Sequence, residues 1–386
     1  MFSKQLNDKC EIMKVFRFIV LCSVFIAVVT EASELTLDGR WSAEKAKQWY
    51  KAQPWLVGCN YTPANAINQL EMWQADTFDP KTIDRELGWA ADMGMNTVRV
   101  YLHDLLWEQD SKGFLKRIDK FLSIADKHGI KTMLVMCDAV WDPHPKLGKQ
   151  PAPRPHVHNS GWVQSPHIDI LKDITKHSSL EPYFKGVIGH FKDDKRVLCW
   201  DLYNEPGNDD EKKDGMNTRE KEAVCFALLE KMFTWARKIN PSQPLTTAVW
   251  SNEWNGEWVG PNMTSLNEFI MSNSDILSFH SYDNYDKTVE RTGSIKTYRR
   301  PLMCTEYLAR ANGSKFQTHL PYFKKNKIAA YNWGFVAGKI QTQYPWSSWR
   351  RKFTAEPKIW HHDVLRPDGT PYDKSEVYLI KSLTKK

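Results

Sequence analysis

The sequence lacks the motifs of several large protein classes. No Cys-x-x-Cys pair occurs, and the cysteines beyond the N-terminal region are odd in number, which excludes a complete disulfide framework and favours buried free thiols. Gly-x-Ser-x-Gly and His-Glu-x-x-His are both absent, so the sequence offers neither a serine nucleophile elbow nor a helical zinc motif. No glycine-rich turn follows a strand-like run, which argues against an open sheet that binds nucleotide phosphates. The cysteines in question are Cys59, Cys137, Cys199, Cys225 and Cys304.

The sequence also has no concentrated block of positive charge. Its net charge is +7, but the lysines are spread along helix-like stretches, as at Lys116, Lys120 and Lys127. This spacing is typical of solvated helix faces and argues against a nucleic acid partner. With 386 residues, of which 41% are hydrophobic, the chain is long enough for one large barrel domain with insertions.

The N-terminal region has the composition of a secretory signal peptide. Lys14 and Arg17 precede an apolar run over residues 18–29, and small and polar residues follow up to Ser33. The run is shorter than the ~20 residues that span a bilayer, although an uncleaved anchor is the alternative. We therefore predict a signal peptide over residues 1–33 with cleavage near Ala32. A secreted or periplasmic domain over residues 34–386, with no stable membrane span, would remain.

Strand-like and helical patterns alternate along the rest of the chain. One helical pattern starts at Asp79-Pro80 and ends at Gly94, and others cover residues 118–129 and 219–239. The alternation indicates parallel strands with right-handed crossovers, and eight such units predict an α/β fold, a single (β/α)8 TIM barrel, over an open doubly wound sheet. The eight strand-like runs are residues 54–60, 96–102, 131–138, 197–205, 244–250, 276–283, 301–308 and 328–335.

Two connections are much longer than the others. They cover residues 139–176, after the third strand, and residues 336–365, after the eighth strand. The first is rich in proline and both contain tryptophan. Loops of this length are uncommon unless they are functional, and barrel enzymes build their sites from the loops that follow the strands. We expect these two loops to border the site.

Two glutamates end strand-like runs on opposite sides of the predicted barrel. Glu205 follows the fourth run in the sequence Asn204-Glu205-Pro206, and Glu306 ends the seventh run. Strands four and seven lie across the barrel axis, so both side chains can face one pocket. Considered singly, Glu205 could be a loop carboxylate beside a rigid proline, and Glu306 could be a surface residue beyond its strand.

Polar and aromatic residues at other strand ends favour the shared pocket. They alternate with apolar residues, so that each set lies on one face of its strand. Burying such groups without partners costs a few kcal/mol, and a common pocket would supply the partners. His103 is interpreted as structural rather than catalytic. The sets are Arg99, Tyr101 and His103 on strand two, His280 and Tyr282 on strand six, and Tyr331 and Trp333 on strand eight.

The Asn204-Glu205-Pro206 ending and the Glu306 ending resemble those of the clan A glycoside hydrolases, and family 5, the cellulase and mannanase group, is the nearest match, over about residues 50–350. The resemblance implies a retaining β-glycosidase with Glu205 as acid/base and Glu306 as nucleophile. It further implies substrate contacts from Arg99, Asn204, His280, Tyr282 and Trp333. The third strand departs from the family pattern, because it ends Cys137-Asp138-Ala139-Val140-Trp141 without the histidine that is usual there. The substrate therefore stays open among β-mannan, β-glucan and xylan.

The aromatic content suits a glycan partner. The chain has 17 Trp, 14 Tyr and 17 Phe, most of which we assign to the core. Indole rings at strand ends can stack on the C–H faces of sugars, and among these we predict Trp141 and Trp346, with Trp333, as substrate contacts. Trp73 is a weaker candidate. The wider set of candidates is Trp141, Trp162, Trp254, Trp258, Trp333, Trp346 and Trp349.

Two other functions stay open at this point. A metal-dependent barrel hydrolase could use His144, His156 and His158, although these lie in a proline-rich loop rather than at strand ends. A catalytically inactive carbohydrate-binding barrel is the other alternative. The preferred hypothesis requires no metal and no cofactor, and its partner is an oligo- or polysaccharide.

Overall fold

The computed structural model describes residues 36–208, 211–250 and 265–385. The predicted signal peptide, its cleavage site near Ala32, and the candidate sugar contacts Trp254 and Trp258 lie outside these ranges. Within them, no helix combines the length and the apolar character needed to cross a bilayer.

The sheet of the described residues is entirely parallel and nearly closes on itself. Its strands are β1 Val57–Asn60, β2 Thr97–Tyr101, β3 Lys131–Val135, β4 Val197–Asp201, β5 Leu245–Thr246, β6 Ala248–Val249, β7 Leu277–His280, β8 Leu302–Tyr307 and β9 Ala329–Asn332. Their hydrogen-bonded order is β5-β4-β3-β2-β1-β9-β8-β7-β6. The fifth predicted strand is divided into β5 and β6, of which β5 pairs with β4 and β6 pairs with β7. The two edges of the sheet are therefore joined by one short stretch of chain, which confirms the predicted (β/α)8 barrel.

Two of the longer helices begin at residues whose side chains cap them. Asp79 accepts hydrogen bonds from the first backbone N–H groups of Pro80–Asp92, and Pro80 occupies a position where no N–H is needed. Asn217 and Glu220 form a capping box at the start of Thr218–Ile239. The α-helices are Ala43–Lys51, Gln69–Trp73, Pro80–Asp92, Asp104–Lys127, Ile168–Leu171, Glu181–Phe191, Glu211–Asp214, Thr218–Ile239, Ser265–Asn273, Tyr285–Ile295, Phe316–Lys325 and Lys374–Thr384.

Several strands are shorter than their apolar runs. The fourth run predicts a strand up to residue 205, but β4 ends at Asp201. Glu205 has a φ of 45°, in the left-handed region that few non-glycine residues adopt. The chain has thus left the sheet before it reaches Glu205, because it must turn there into the loop that begins with Pro206. Apolar character alone does not reveal this turn.

The two long loops are joined to each other by hydrogen bonds. The His158 backbone N–H donates to Ser348 Oγ at 2.9 Å, and Trp349 Nε1 donates to the His158 carbonyl at 2.8 Å. Asn159 N–H donates to the Ile340 carbonyl at 2.8 Å. The loop after β3 and the loop after β9 therefore form one continuous wall at the end of the barrel where the strands terminate.

Trp73 was the weaker candidate for a sugar contact, and this prediction was wrong because the residue belongs to the core. Its side chain is completely buried, and its Nε1 donates to the Tyr101 carbonyl at 2.8 Å. It packs face to face on Phe78, with ring centroids 5.8 Å apart. The five cysteines named above are buried and free, as predicted.

Gly58 in β1 has no room for a side chain. A Cβ atom at this position would lie 1.7 Å from the Thr97 carbonyl oxygen of β2. We expect Gly58→Ala to lower the free energy of unfolding by about 1–3 kcal/mol, because backbone must move to relieve the contact. Urea denaturation followed by circular dichroism measures the change.

Gly189, in the helix Glu181–Phe191, is the matched control. A Cβ atom there has no neighbour within 4 Å. Gly189→Ala should raise the free energy of unfolding by up to about 1 kcal/mol, because alanine is the better helix former. Equal stability of the Gly58→Ala variant and the unaltered protein would contradict the close strand packing.

Candidate active site

A cavity of about 400 Å³ opens at the carboxyl ends of the strands. Eight of the nine residues predicted for the site line it, and the ninth, Arg99, lies buried beneath them. The long loops contribute part of its wall through His158, Asn159 and Trp349. The eight lining residues are Trp141, Asn204, Glu205, His280, Tyr282, Glu306, Trp333 and Trp346.

Glu306 belongs to β8 and is surrounded by hydrogen-bond donors. Its Oε1 accepts from Arg99 Nη1 and from the Tyr101 hydroxyl, both at 2.8 Å. Its Oε2 accepts from the Tyr282 hydroxyl at 2.5 Å. A carboxylate anion accepts hydrogen bonds and never donates them. One cation and two hydroxyl groups are donors that suit such an anion. The side chain is held rigidly with its carboxylate at the cavity.

Glu205 has different surroundings, because none of the described residues brings a cation into direct contact with it. Its Oε1 lies 2.8 Å from His280 Nδ1, and its Oε2 accepts from Asn208 Nδ2 at 2.6 Å. Burial raises the pKa of Glu205 to about 7, against the opposing effects of the Asn208 hydrogen bond and the Arg99 charge. Burial also lowers the pKa of His280 to about 3, so this imidazole is neutral near pH 7.

The main cause of the raised pKa of Glu205 is its removal from water, rather than the charge of the neighbouring Glu306. A carboxyl group near neutral pKa can hold a proton for a leaving group and later accept one from water.

Arg99 lies at the floor of the site and connects several strands. Besides Glu306, its guanidinium donates to Asp201 Oδ2 at 2.8 and 3.0 Å, to Asn204 Oδ1 at 2.7 Å and to Asn60 Oδ1 at 2.8 Å. Burial raises the pKa of Asp201 to about 6, while the Arg99 charge acts in the opposite direction. A buried cation is stable only when it is paired in this way.

Four residues around the site are not predicted from the sequence: Asn60, Asp138, Asp201 and Asn208. Asn60 begins an Asn-x-Ser/Thr sequence, but its side chain is buried and contacts the Arg99 guanidinium and the Thr305 carbonyl. Asp201 is a fully buried acid within an apolar strand, and this was the available signal. Tyr101 shares the strand face of Arg99 in the sequence pattern, but its contact with Glu306 is visible only in the structure.

Aromatic rings occupy two parts of the cavity. Trp333, Trp162 and Tyr101 meet edge to face, with ring centroids 5.2 to 5.9 Å apart. Trp141 and Trp349 meet at 4.5 Å. Indole rings in these positions provide apolar surfaces with a polar edge, which suits sugar rings.

The carboxyl groups of Glu205 and Glu306 approach each other closely across the cavity. One carboxylate oxygen of each, together with a His280 nitrogen, lies within 4.8 Å of the others. In the part of the chain that the structure describes, these three residues form the one group with the spacing of metal ligands. Arg99, Tyr101 and Tyr282 already donate to the Glu306 oxygens, so a cation would compete with existing contacts.

The histidines considered for a metal site do not form such a group. His156 Nδ1 contacts the Phe353 carbonyl at 2.9 Å, and His158 Nδ1 contacts the Tyr344 carbonyl at 2.8 Å. His144 instead contacts His167, at 3.3 Å between their ring nitrogens. His103 is structural, as interpreted from the sequence, because it caps the helix Asp104–Lys127 and contacts the Gln164 carbonyl.

Comparison with known families agrees with this geometry. A family model described as cellulase (glycosyl hydrolase family 5) matches residues 60–344. The chain belongs to glycoside hydrolase family 5. It is thus a glycoside hydrolase, as the resemblance of the strand endings predicted. No curated protein sequence matches the chain with significant similarity.

Solved structures of family 5 enzymes share the fold at low sequence identity. A xyloglucan-specific endo-β-1,4-glucanase from a metagenomic library, in complex with cellotriose, is 12% identical, with a TM-score of 0.56 over 88% of this chain and 99% of its own. An endo-1,4-β-D-mannanase from Thermotoga petrophila RKU-1 is 15% identical, with a TM-score of 0.53 over 85% and 99%. A family 5 protein from Streptomyces cattleya in complex with GlcNAc is 13% identical, with a TM-score of 0.55 over 85% and 79%.

Removing Arg99 should destabilise this family 5 barrel strongly. Arg99→Leu would leave the buried Asp201 carboxylate without its cation, which we expect to lower the free energy of unfolding by about 3–5 kcal/mol. Chemical denaturation at pH 7 measures the loss.

Arg366 provides the matched control for Arg99. It pairs with Glu356 at 3.1 Å on the surface. Arg366→Leu should lower stability by no more than about 1 kcal/mol, because exposed ion pairs contribute little. Similar losses in the two variants would show that the Arg99 network does not stabilise the fold.

Proposed function

We propose that this protein is a retaining β-glycosidase that works by double displacement, with Glu306 as nucleophile and Glu205 as acid/base. The observation that carries the proposal is the approach of one Glu205 oxygen to within 4.8 Å of one Glu306 oxygen in a shared cavity. Retaining enzymes place their two carboxyl groups ~5–5.5 Å apart, whereas inverting enzymes leave ~6.5–9.5 Å for a water molecule.

In the first step, a Glu306 oxygen attacks the anomeric carbon while the glycosidic C–O bond breaks. Glu205 transfers its proton to the departing oxygen, so that the leaving group departs as a neutral alcohol. Arg99 and the hydroxyls of Tyr101 and Tyr282 hold the attacking carboxylate in place. The products are a glycosyl ester on Glu306 and an ionised Glu205.

In the second step, water replaces Glu306 at the anomeric carbon. Glu205, now a carboxylate, takes a proton from the water as its oxygen bonds to the sugar, and Glu306 departs as a carboxylate. Glu205 regains the proton that it lost in the first step. Two displacements at one carbon return the original β configuration.

For the substrate, we propose a β-linked glycan of the β-mannan, β-glucan or xylan class. The support is the tryptophan-lined cavity together with the activities named for structures of the same fold, an endo-1,4-β-D-mannanase and a xyloglucan-specific endo-β-1,4-glucanase. A non-catalytic sugar-binding barrel is less well supported, because such a protein has no need for two opposed carboxyl groups. Export through the signal peptide stays a prediction from the sequence.

Substitution of the two glutamates tests the proposal. After a screen of aryl β-mannosides, β-glucosides, β-xylosides and the matching polysaccharides, we expect Glu306→Ala to lower kcat at least ~10³-fold, because the glycosyl ester cannot form. Glu205→Ala should lower kcat/KM on polysaccharide by ~10²–10⁴-fold through loss of proton transfer. On an aryl glycoside with an activated leaving group, this variant should release the aryl alcohol in a burst and then turn over slowly.

Glu290 is the matched control, since it lies on the surface and contacts Lys287. Glu290→Ala should keep full activity. Sodium azide should rescue Glu205→Ala with a β-glycosyl azide product and Glu306→Ala with an α-glycosyl azide product, as determined by proton NMR. Full activity in either variant would refute the proposal, and an α-configured initial product from the unaltered enzyme would indicate inversion.

The raised pKa of Glu205 predicts a basic limb in the pH profile. Glu205 must carry a proton in the first step, and it loses that proton as the pH rises through about 7. We therefore expect kcat/KM for a phenyl glycoside to fall about tenfold per pH unit above that value. A 2,4-dinitrophenyl glycoside, whose leaving group needs no proton, should show a much flatter limb.

Asn208 tests the assignment of this limb. It donates to Glu205 Oε2, and this bond favours the ionised carboxylate. Asn208→Ala should raise the pKa of Glu205 and move the basic limb to higher pH. A limb that does not move, or that is equally steep for both leaving groups, would assign it to another residue.

A further inference from the structure

Asp138 is a buried acid near the catalytic pair that neither catalytic step uses. It follows β3, and its backbone N–H and carbonyl both pair with Ser165 at 2.8 Å. The side chain is completely buried.

Four N–H groups donate to the Asp138 carboxyl group. Oδ1 accepts from Asn204 Nδ2 at 2.9 Å and from the Val140 backbone N–H at 3.1 Å. Oδ2 accepts from Trp162 Nε1 at 2.6 Å and from Gln69 Nε2 at 3.3 Å. A carboxylate that only accepts matches this set, and no other side chain of this size offers two acceptor oxygens to two opposite groups of donors.

The contact with Asn204 fixes an amide beside the acid/base. Asn204 Oδ1 accepts from Arg99 Nη2 at 2.7 Å, while Nδ2 donates to Asp138, so both ends of the amide are determined. Neither contact uses the second N–H of Nδ2, and Asn204 lines the cavity. That N–H is therefore available for a sugar hydroxyl.

The contact with Trp162 reaches the other side of the site. The Trp162 ring meets Tyr101 at 5.2 Å and Trp333 at 5.9 Å between centroids. The Tyr101 hydroxyl donates to Glu306. Asp138 is thus linked, through one residue on each side, to the surroundings of both catalytic glutamates.

Building on the proposed function, we propose that Asp138 is a positioning residue: it orients the Asn204 amide toward the hydroxyl next to the reacting carbon. Hydrogen bonds to the 2-hydroxyl strengthen in the transition state of glycoside hydrolysis. Misplacement of a contact by ~1 Å can cost ~100-fold in rate. The effect of Asp138 should therefore depend on the presence of that hydroxyl.

Kinetics with paired substrates test this role. The substrates are an activated aryl β-glycoside of the preferred sugar and its 2-deoxy counterpart. We expect Asp138→Ala to lower kcat/KM about 100-fold on the hydroxylated substrate, mainly through kcat, but less than about 3-fold on the deoxy substrate. Asn204→Ala should show the same pattern. Equal losses on the two substrates would overturn the proposal, because a general structural defect does not distinguish them.

Two further variants separate a loss of positioning from a loss of folding. Asp138→Asn keeps the side-chain volume but can satisfy only one of the two groups of donors, so we expect an intermediate loss, about tenfold, with the same dependence on the hydroxyl. It remains informative if Asp138→Ala does not fold. Asp142→Ala, at an exposed position in the same loop, should behave like the unaltered enzyme on both substrates.

The failure of this proposal differs from failure of the proposed function. Full activity in Glu205→Ala or Glu306→Ala would refute the catalytic roles. An unchanged preference for the hydroxylated substrate in both Asp138 variants, with inactive glutamate variants, would refute only the positioning role of Asp138.

Discussion

The buried guanidinium of Arg99 is the interaction on which the site depends. A cation without solvent is stable only when acceptors surround it, and here they come from the ends of three other strands or the turns just after them: Asn60, Asp201 with Asn204, and Glu306. Each acceptor is in turn held in position by the shared cation. The barrel therefore brings the Glu306 carboxylate to a fixed position through electrostatics as much as through packing.

The two glutamates have the same side chain, but their surroundings make them chemically distinct. Glu306 contacts a cation and two hydroxyl groups, whereas Glu205 contacts a neutral imidazole and an amide in a buried position. Environments that separate two carboxyl groups in this way are the physical basis of an acid and a base working at one pH. The left-handed backbone of Glu205 is part of that environment, since it turns the side chain out of the sheet and toward the cavity.

The long loops add further fixed contacts beyond the ends of the strands. His158 and Trp349 connect them through hydrogen bonds, and Asp138 connects the loop after β3 to Asn204. The cavity wall is thus built from side chains that are themselves fixed by second contacts. Such support is what keeps reacting groups within the narrow geometry that catalysis requires.

The fold and most of the cavity could be predicted from the sequence because they depend on local patterns. Apolar runs at strand spacing, caps such as Asp79, and polar residues of matching parity at strand ends such as Arg99 and Glu306 are readable without coordinates. The partners of those residues cannot be read from the sequence, because they depend on which strands lie side by side and where each strand stops. Asp138, Asp201 and Asn60 acquire their roles from contacts with residues 39 to 245 positions away in the chain. The sequence by itself determined the barrel and the identity of the two carboxyl groups; the tertiary structure alone decided their separation, the burial that raises the pKa of Glu205, and the four donors that surround Asp138.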